Sequence, residues 1–137
     1  MAEYGRYTNH LHGIMAEIYA RGPVKASINA GPIEEYRGGI VYDDPALRNM
    51  THNHGVSLVG WGYEESTDTT YWIVRNSWGQ YWGELGYFRV ELGKDLLGIE
   101  NHVAWATPGP FTTTNDSPCW EDGSNCEGPQ PNHVAIE

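Results

Sequence analysis

Glycines and large aromatics are interleaved along residues 54–92 in a way that leaves few foldings open. Three runs rich in Val, Tyr, Trp and Ile, at 54–62, 70–76 and 86–92, have the composition of strands. Between the second and third, Gly79, Gly83 and Gly86 punctuate a loop that carries Trp78, Tyr81 and Trp82. Bulky rings beside glycines predict indoles laid flat on exposed backbone. The segment reads as a strand-built core with an aromatic loop at one end.

Upstream, Leu11, Ile14, Met15, Ile18 and Tyr19 recur at helical spacing and predict one apolar stripe. Gly22-Pro23 ends that helix, because proline cannot continue the hydrogen-bond ladder and restricts its predecessor. Val24, Ala26, Ile28 and Ala30 then alternate with Lys25, Ser27 and Asn29, the period of a half-buried strand. Gly38-Gly39 permits a tight bend before Ile40-Val41-Tyr42, and residues 43–53 are polar and irregular. The expected class is α+β: one N-terminal helix packed on a strongly bent antiparallel sheet or small open barrel. From Thr107 the composition shifts to Pro, Gly, Thr, Asn and Asp. Residues 1–106 therefore read as one lobe and 107–137 as a partly disordered C-terminal extension.

The chain has 137 residues and a formal charge of −10. That charge argues against nucleic acid, whose binding depends on Lys and Arg neutralising phosphates. No apolar run of about 18 residues is present, so no membrane span is expected. Met1 to Arg6 lack the basic-then-apolar pattern of a signal peptide, and residue 1 reads as an internal boundary. Both cysteines, Cys119 and Cys126, lie in the extension. A disulfide between them would close a short loop and stabilise only the tail, by about 2 to 3 kcal/mol.

Six motifs resemble, in order, the C-terminal half of papain-like cysteine proteases. They are Arg21-Gly22-Pro23-Val24, Tyr36-Arg37-Gly38-Gly39-Ile40, Asn53-His54-Gly55-Val56, Val59-Gly60-Trp61-Gly62, Tyr71 through Gly79, and Trp82 through Tyr87. Within the family they are most similar to the cathepsin X (cathepsin Z) branch. The resemblance implies the right lobe of a two-lobed peptidase whose cleft lies between the lobes. It implies His54 as catalytic base and acid, Asn76 as the residue that orients it, and Trp78 as a shield over their hydrogen bond. Trp82 would line the cleft on the leaving-group side. His52, Asn53 and Gly55 would border the pocket for the substrate's second side chain. Peptide or protein substrates and a lysosomal or secreted location are implied too, with no cofactor.

Two thirds of a Cys-His-Asn site are thus present. The nucleophile in such enzymes precedes the histidine by about 130 to 150 residues. Here 53 residues precede His54 and none is Cys, so the left lobe is not in this sequence. The chain alone is expected to be inactive. It is expected to associate with itself or with a chain that supplies the missing lobe. Three readings stay open: half of an active protease, a non-catalytic binding module, or a remnant without function. Cys119-Trp120 echoes the missing signature, but Glu121-Asp122-Gly123 follows it. Local carboxylates raise a thiol's pKa and oppose its activation. His52 and His54 could face one way on a strand, yet no third ligand of suitable spacing accompanies them, and no metal is expected.

Overall fold

The structure, a computed structural model, describes residues 3–108. Cys119, Cys126 and nearly all of the extension lie outside the described residues.

Helix α1 spans Leu11–Arg21. Its first turn is capped by His10, whose Nδ1 accepts the Gly13 N–H at 2.9 Å, so His10 is engaged in helix initiation. Its last turn closes with Gly22 N–H donating to the Ile18 carbonyl, Gly22 taking a left-handed φ of 94° before Pro23. Ile14 and Ile18 are buried as the periodicity predicts, but Tyr19 is 87% exposed. Glu17 takes the inward place instead, held by the Arg21 guanidinium at 2.6 and 2.8 Å. A charged residue enters the stripe because its i+4 neighbour neutralises it.

The strands are β1 (Glu3–Tyr7), β2 (Val24–Ile28), β3 (Ile40–Val41), β4 (His54–Glu64), β5 (Thr69–Arg75), β6 (Tyr87–Glu91) and β7 (Val103–Thr107). They form one sheet in the order β1-β7-β2-β4-β5-β6-β3. Pairing is antiparallel except between β3 and β6, which run parallel. The sheet is therefore mixed. Its two edge strands do not pair with each other, so it stays open.

A bulge between Leu58 and Gly60 interrupts the β4–β5 register and bends the longest strand. The N-terminal half of β4 pairs with β2, and its C-terminal half forms the hairpin with β5. α1 packs on β2, β4 and β7. The core between them includes Ile14, Ala26, Leu58, Trp72, Phe88 and Val103, all fully buried.

The loop joining β5 to β6 is fixed at its β6 end. Gly83 adopts φ 60°, and a Cβ there would sit 2.7 Å from the Tyr87 carbonyl oxygen, so only glycine fits. Next to it, Glu84 receives the Arg89 guanidinium at 2.9 and 2.8 Å and the Gly39 N–H at 2.9 Å. This clamp ties the aromatic loop to the turn before β3. Arg89 beside it holds the Glu84 carboxyl below the usual glutamate range. A depressed carboxyl adds stability above the ordinary glutamate range and loses it as pH falls through the lowered folded value. Glu84→Gln is therefore expected to flatten the loss of melting temperature below about pH 4.5, read by circular dichroism melts across the acid range.

Candidate active site

Strand register brings the site together. Ser57 pairs with Arg75, the last paired position between β4 and β5, and His54 and Asn76 lie just beyond it on the two segments. Their side chains are thereby brought within reach of each other. β4 begins at His54 and β5 ends one residue before Asn76. Both side chains stand at the same end of the sheet.

His54 Nε2 lies 2.8 Å from Asn76 Oδ1. That oxygen also accepts the backbone N–H of Ser77 at 2.8 Å. A backbone N–H can only donate, so the contact orients the amide with its oxygen toward the histidine. The His54 Nε2 must then carry the hydrogen, and in the neutral ring the lone pair falls to Nδ1. Among the described residues Nδ1 has no partner. Asn76 is itself buried, its N–H bonded to the Gly86 carbonyl at 3.0 Å.

Trp78 stacks on the His54 ring, with centroids 5.1 Å apart and planes 29° from parallel. It stays 39% exposed, covering the imidazole on one face. Trp82 meets Trp78 edge-on at 5.1 Å, and its Nε1 donates to the carbonyls of Ile33 and Glu34 at 3.2 Å. The two indoles do not lie flat on bare backbone as the glycines suggested. They form a ring-on-ring relay from the short turn Gly31–Ile33 to His54.

Asn53, Gly55 and His52 stand around the His54–Asn76 pair in different settings. Asn53 is exposed, and its Oδ1 accepts the Ala30 N–H at 2.9 Å, fixing the entry to β4. Gly55 borders an open groove that Asn76 also lines, with Lys25, Ser57, Arg75 and Ser77. His52 precedes β4 instead of sharing a strand face with His54. Its Nε2 lies 2.9 Å from the Gly98 carbonyl oxygen, and its ring stacks on His102. Ser77, Gly86 and the Ile33 and Glu34 carbonyls were not foreseen from the sequence. All four act through backbone atoms, which residue identity does not reveal.

The family model described as Papain family cysteine protease matches residues 1–107. The chain belongs to the papain family of cysteine proteases. This papain-family chain is 42% identical over 91 residues to a gut-specific cysteine proteinase of Caenorhabditis elegans, covering 66% of the chain and 26% of that protein. It is 41% identical over 106 residues to cathepsin Z of Onchocerca volvulus, covering 72% and 34%. Among solved structures, digestive procathepsin L2 of Tenebrio molitor superposes with a TM-score of 0.70 at 30% identity, over 79% of this chain and 34% of that one. Bromelain from Ananas comosus superposes with a TM-score of 0.66 at 28% identity, over 77% and 50%. The fold is papain-like. The chain spans about a third or less of the length of the two curated relatives.

Proposed function

We propose that this chain is the base-bearing lobe of a thiol-dependent peptidase, supplying His54 and Asn76 to a cysteine on a complementary lobe. The observation that carries the proposal is the 2.8 Å bond from His54 Nε2–H to an Asn76 oxygen pinned by Ser77. It leaves Nδ1 as the only basic nitrogen, on an imidazole held at one angle.

Nδ1 takes the thiol proton, and the imidazolium stabilises the thiolate beside it. The sulfur adds to the scissile carbonyl carbon, and the pair of electrons moves to the oxygen. Collapse breaks the C–N bond, the departing amine takes the proton from Nδ1, and an acyl thioester remains. Water then attacks that carbon, giving a proton back to Nδ1. Breakdown releases the acid and restores the thiolate–imidazolium pair. Asn76 cannot titrate, so it orients His54 through both protonation states. Trp78 keeps water off the Nε2 bond and strengthens it by lowering the local dielectric.

Similarity to the Onchocerca cathepsin Z supports a cathepsin X/Z-like enzyme with peptide or protein substrates, in a lysosomal or secreted setting. The test is complementation. The chain, mixed or co-expressed with a separately made left lobe bearing its cysteine, is expected to restore cleavage of a fluorogenic peptide that neither part cleaves alone. A stable two-lobe complex without cleavage supports a non-catalytic binding module instead.

A further inference from the structure

A second polar centre lies away from His54, in the loop between β6 and β7. Leu96, Leu97 and Ile99 are fully buried there, and two carboxyls are buried among them: Asp95 at 6% exposure and Glu100 at 3%. The two are tied reciprocally. Asp95 N–H donates to Glu100 Oε2 at 3.0 Å, and Glu100 N–H donates to Asp95 Oδ1 at 2.9 Å. Glu100 Oε1 also accepts the Trp72 indole N–H at 2.9 Å and the Gly93 N–H at 2.6 Å, so both its oxygens are bonded. Asp95 Oδ1 accepts a further N–H from Asn101 at 3.0 Å. Among the described residues, Asp95 Oδ2 is buried with no partner.

A buried carboxylate oxygen without a donor is costly as an anion and far less so as a neutral acid. A second carboxyl tied to the same turn adds repulsion. The other titratable groups around Asp95 do not offset this. His52, the nearby imidazole, has its Nε2 engaged by the Gly98 carbonyl and its ring stacked on His102. Arg48, across the bridge to Leu96, is committed to Asp43. Lys94 makes no ion pair among the described residues.

The loop is also the support for the segment that leads into His54. Leu97 N–H donates to the Leu47 carbonyl at 2.6 Å, Asn49 N–H to the Asp95 carbonyl at 3.0 Å, and Asn29 N–H to the Leu97 carbonyl at 2.8 Å. Gly98 fits beneath His52 because a Cβ would lie 2.6 Å from its Nε2 and 2.5 Å from the Met50 carbonyl oxygen.

We propose that the Asp95–Glu100 knot is an acid-loaded switch: with a proton on Asp95 it locks the 93–101 loop onto residues 47–53, and proton loss loosens that support. Burial raises the Asp95 carboxyl above the ordinary aspartate range, with Glu100 adding to the effect. A raised acid holds its proton more tightly folded than unfolded. The stabilisation is full below the ordinary aspartate range and is lost as pH rises through the raised folded value. This is opposite in sign to the Glu84 clamp, and it does not depend on the peptidase reading.

The test uses the full chain, as wild type and Asp95→Asn. In wild type the Asp95 carboxyl carbon, followed by NMR, titrates above the ordinary aspartate range. Exchange protection of the Leu97, Glu100 and Asn101 amides, corrected for intrinsic rates, falls about tenfold from about pH 4.5 to about pH 7.5. Asp95→Asn abolishes that fall. A carbon titrating in or below the ordinary range overturns the proposal, as does a fall of equal size in the variant. Should the variant fail to fold, the wild-type titration decides alone.

Discussion

In the complemented two-lobe enzyme, His54→Ala is expected to lower kcat/KM by at least about 10⁴-fold, the scale seen when a member of a catalytic triad is removed. No other described residue can take over. Among the described residues His54 Nδ1 has no hydrogen-bond partner, so its lone pair is free, and the neighbouring Asn76 does not titrate. The lobe itself should stay folded, since His54 is only half-buried and its one side-chain hydrogen bond is to Asn76. Asn76→Ala should cost less, about a hundredfold, because the base remains but loses its fixed angle. Steady-state kinetics with melts of each variant separate the two effects. Wild-type rates from His54→Ala at intact complex formation would assign the proton transfer elsewhere.

The largest expected loss of stability comes from Trp72→Ala. Trp72 is fully buried in mid-sheet, edge-on to Trp61 at 6.5 Å, and donates its indole N–H to Glu100. Truncation leaves a cavity costing about 3 to 5 kcal/mol. It also strips one donor from a buried carboxylate, for about 1 to 3 kcal/mol more. The two are not strictly additive, but either is large against the roughly 5 to 15 kcal/mol of a typical domain. Trp72→Phe keeps most of the packing and should show mainly the second cost. Urea denaturation measures both. A loss below about 1 kcal/mol for Trp72→Ala would mean that the centre of the sheet is not where the stability resides.

Periodicity locates α1 and β2, and composition locates β4, β5 and β6, within a few residues, because each ends at glycine, proline or a polar loop. β1 escapes notice because Glu3-Tyr4-Gly5-Arg6-Tyr7 has no apolar face; it is an edge strand held through its backbone to β7. β7 is hidden for a different reason. It is short and runs into the Pro- and Thr-rich composition of the tail. The stripe on α1 misassigns Tyr19 because hydropathy alone cannot show that Arg21 makes Glu17 buriable. The parallel pairing of β3 with β6 carries no local signal, since two residues state no partner. At the site, His54, Asn76 and the two indoles are legible through their motifs. The Asp95–Glu100 knot is not, although two acids flanking Leu96, Leu97 and Ile99 are the kind of mismatch that marks a buried polar turn.

The role of His54 turns on which of its nitrogens is protonated. Nitrogen-15 NMR of the imidazole rings, in wild type and in Asn76→Ala, reads this in the isolated chain. The expected result is the Nε2–H tautomer for the neutral His54 ring in wild type, with a mixture of tautomers once Asn76 is removed. A neutral His54 protonated at Nδ1 in the wild-type chain would contradict that role, since the nitrogen meant to face the thiol would then have no lone pair to offer.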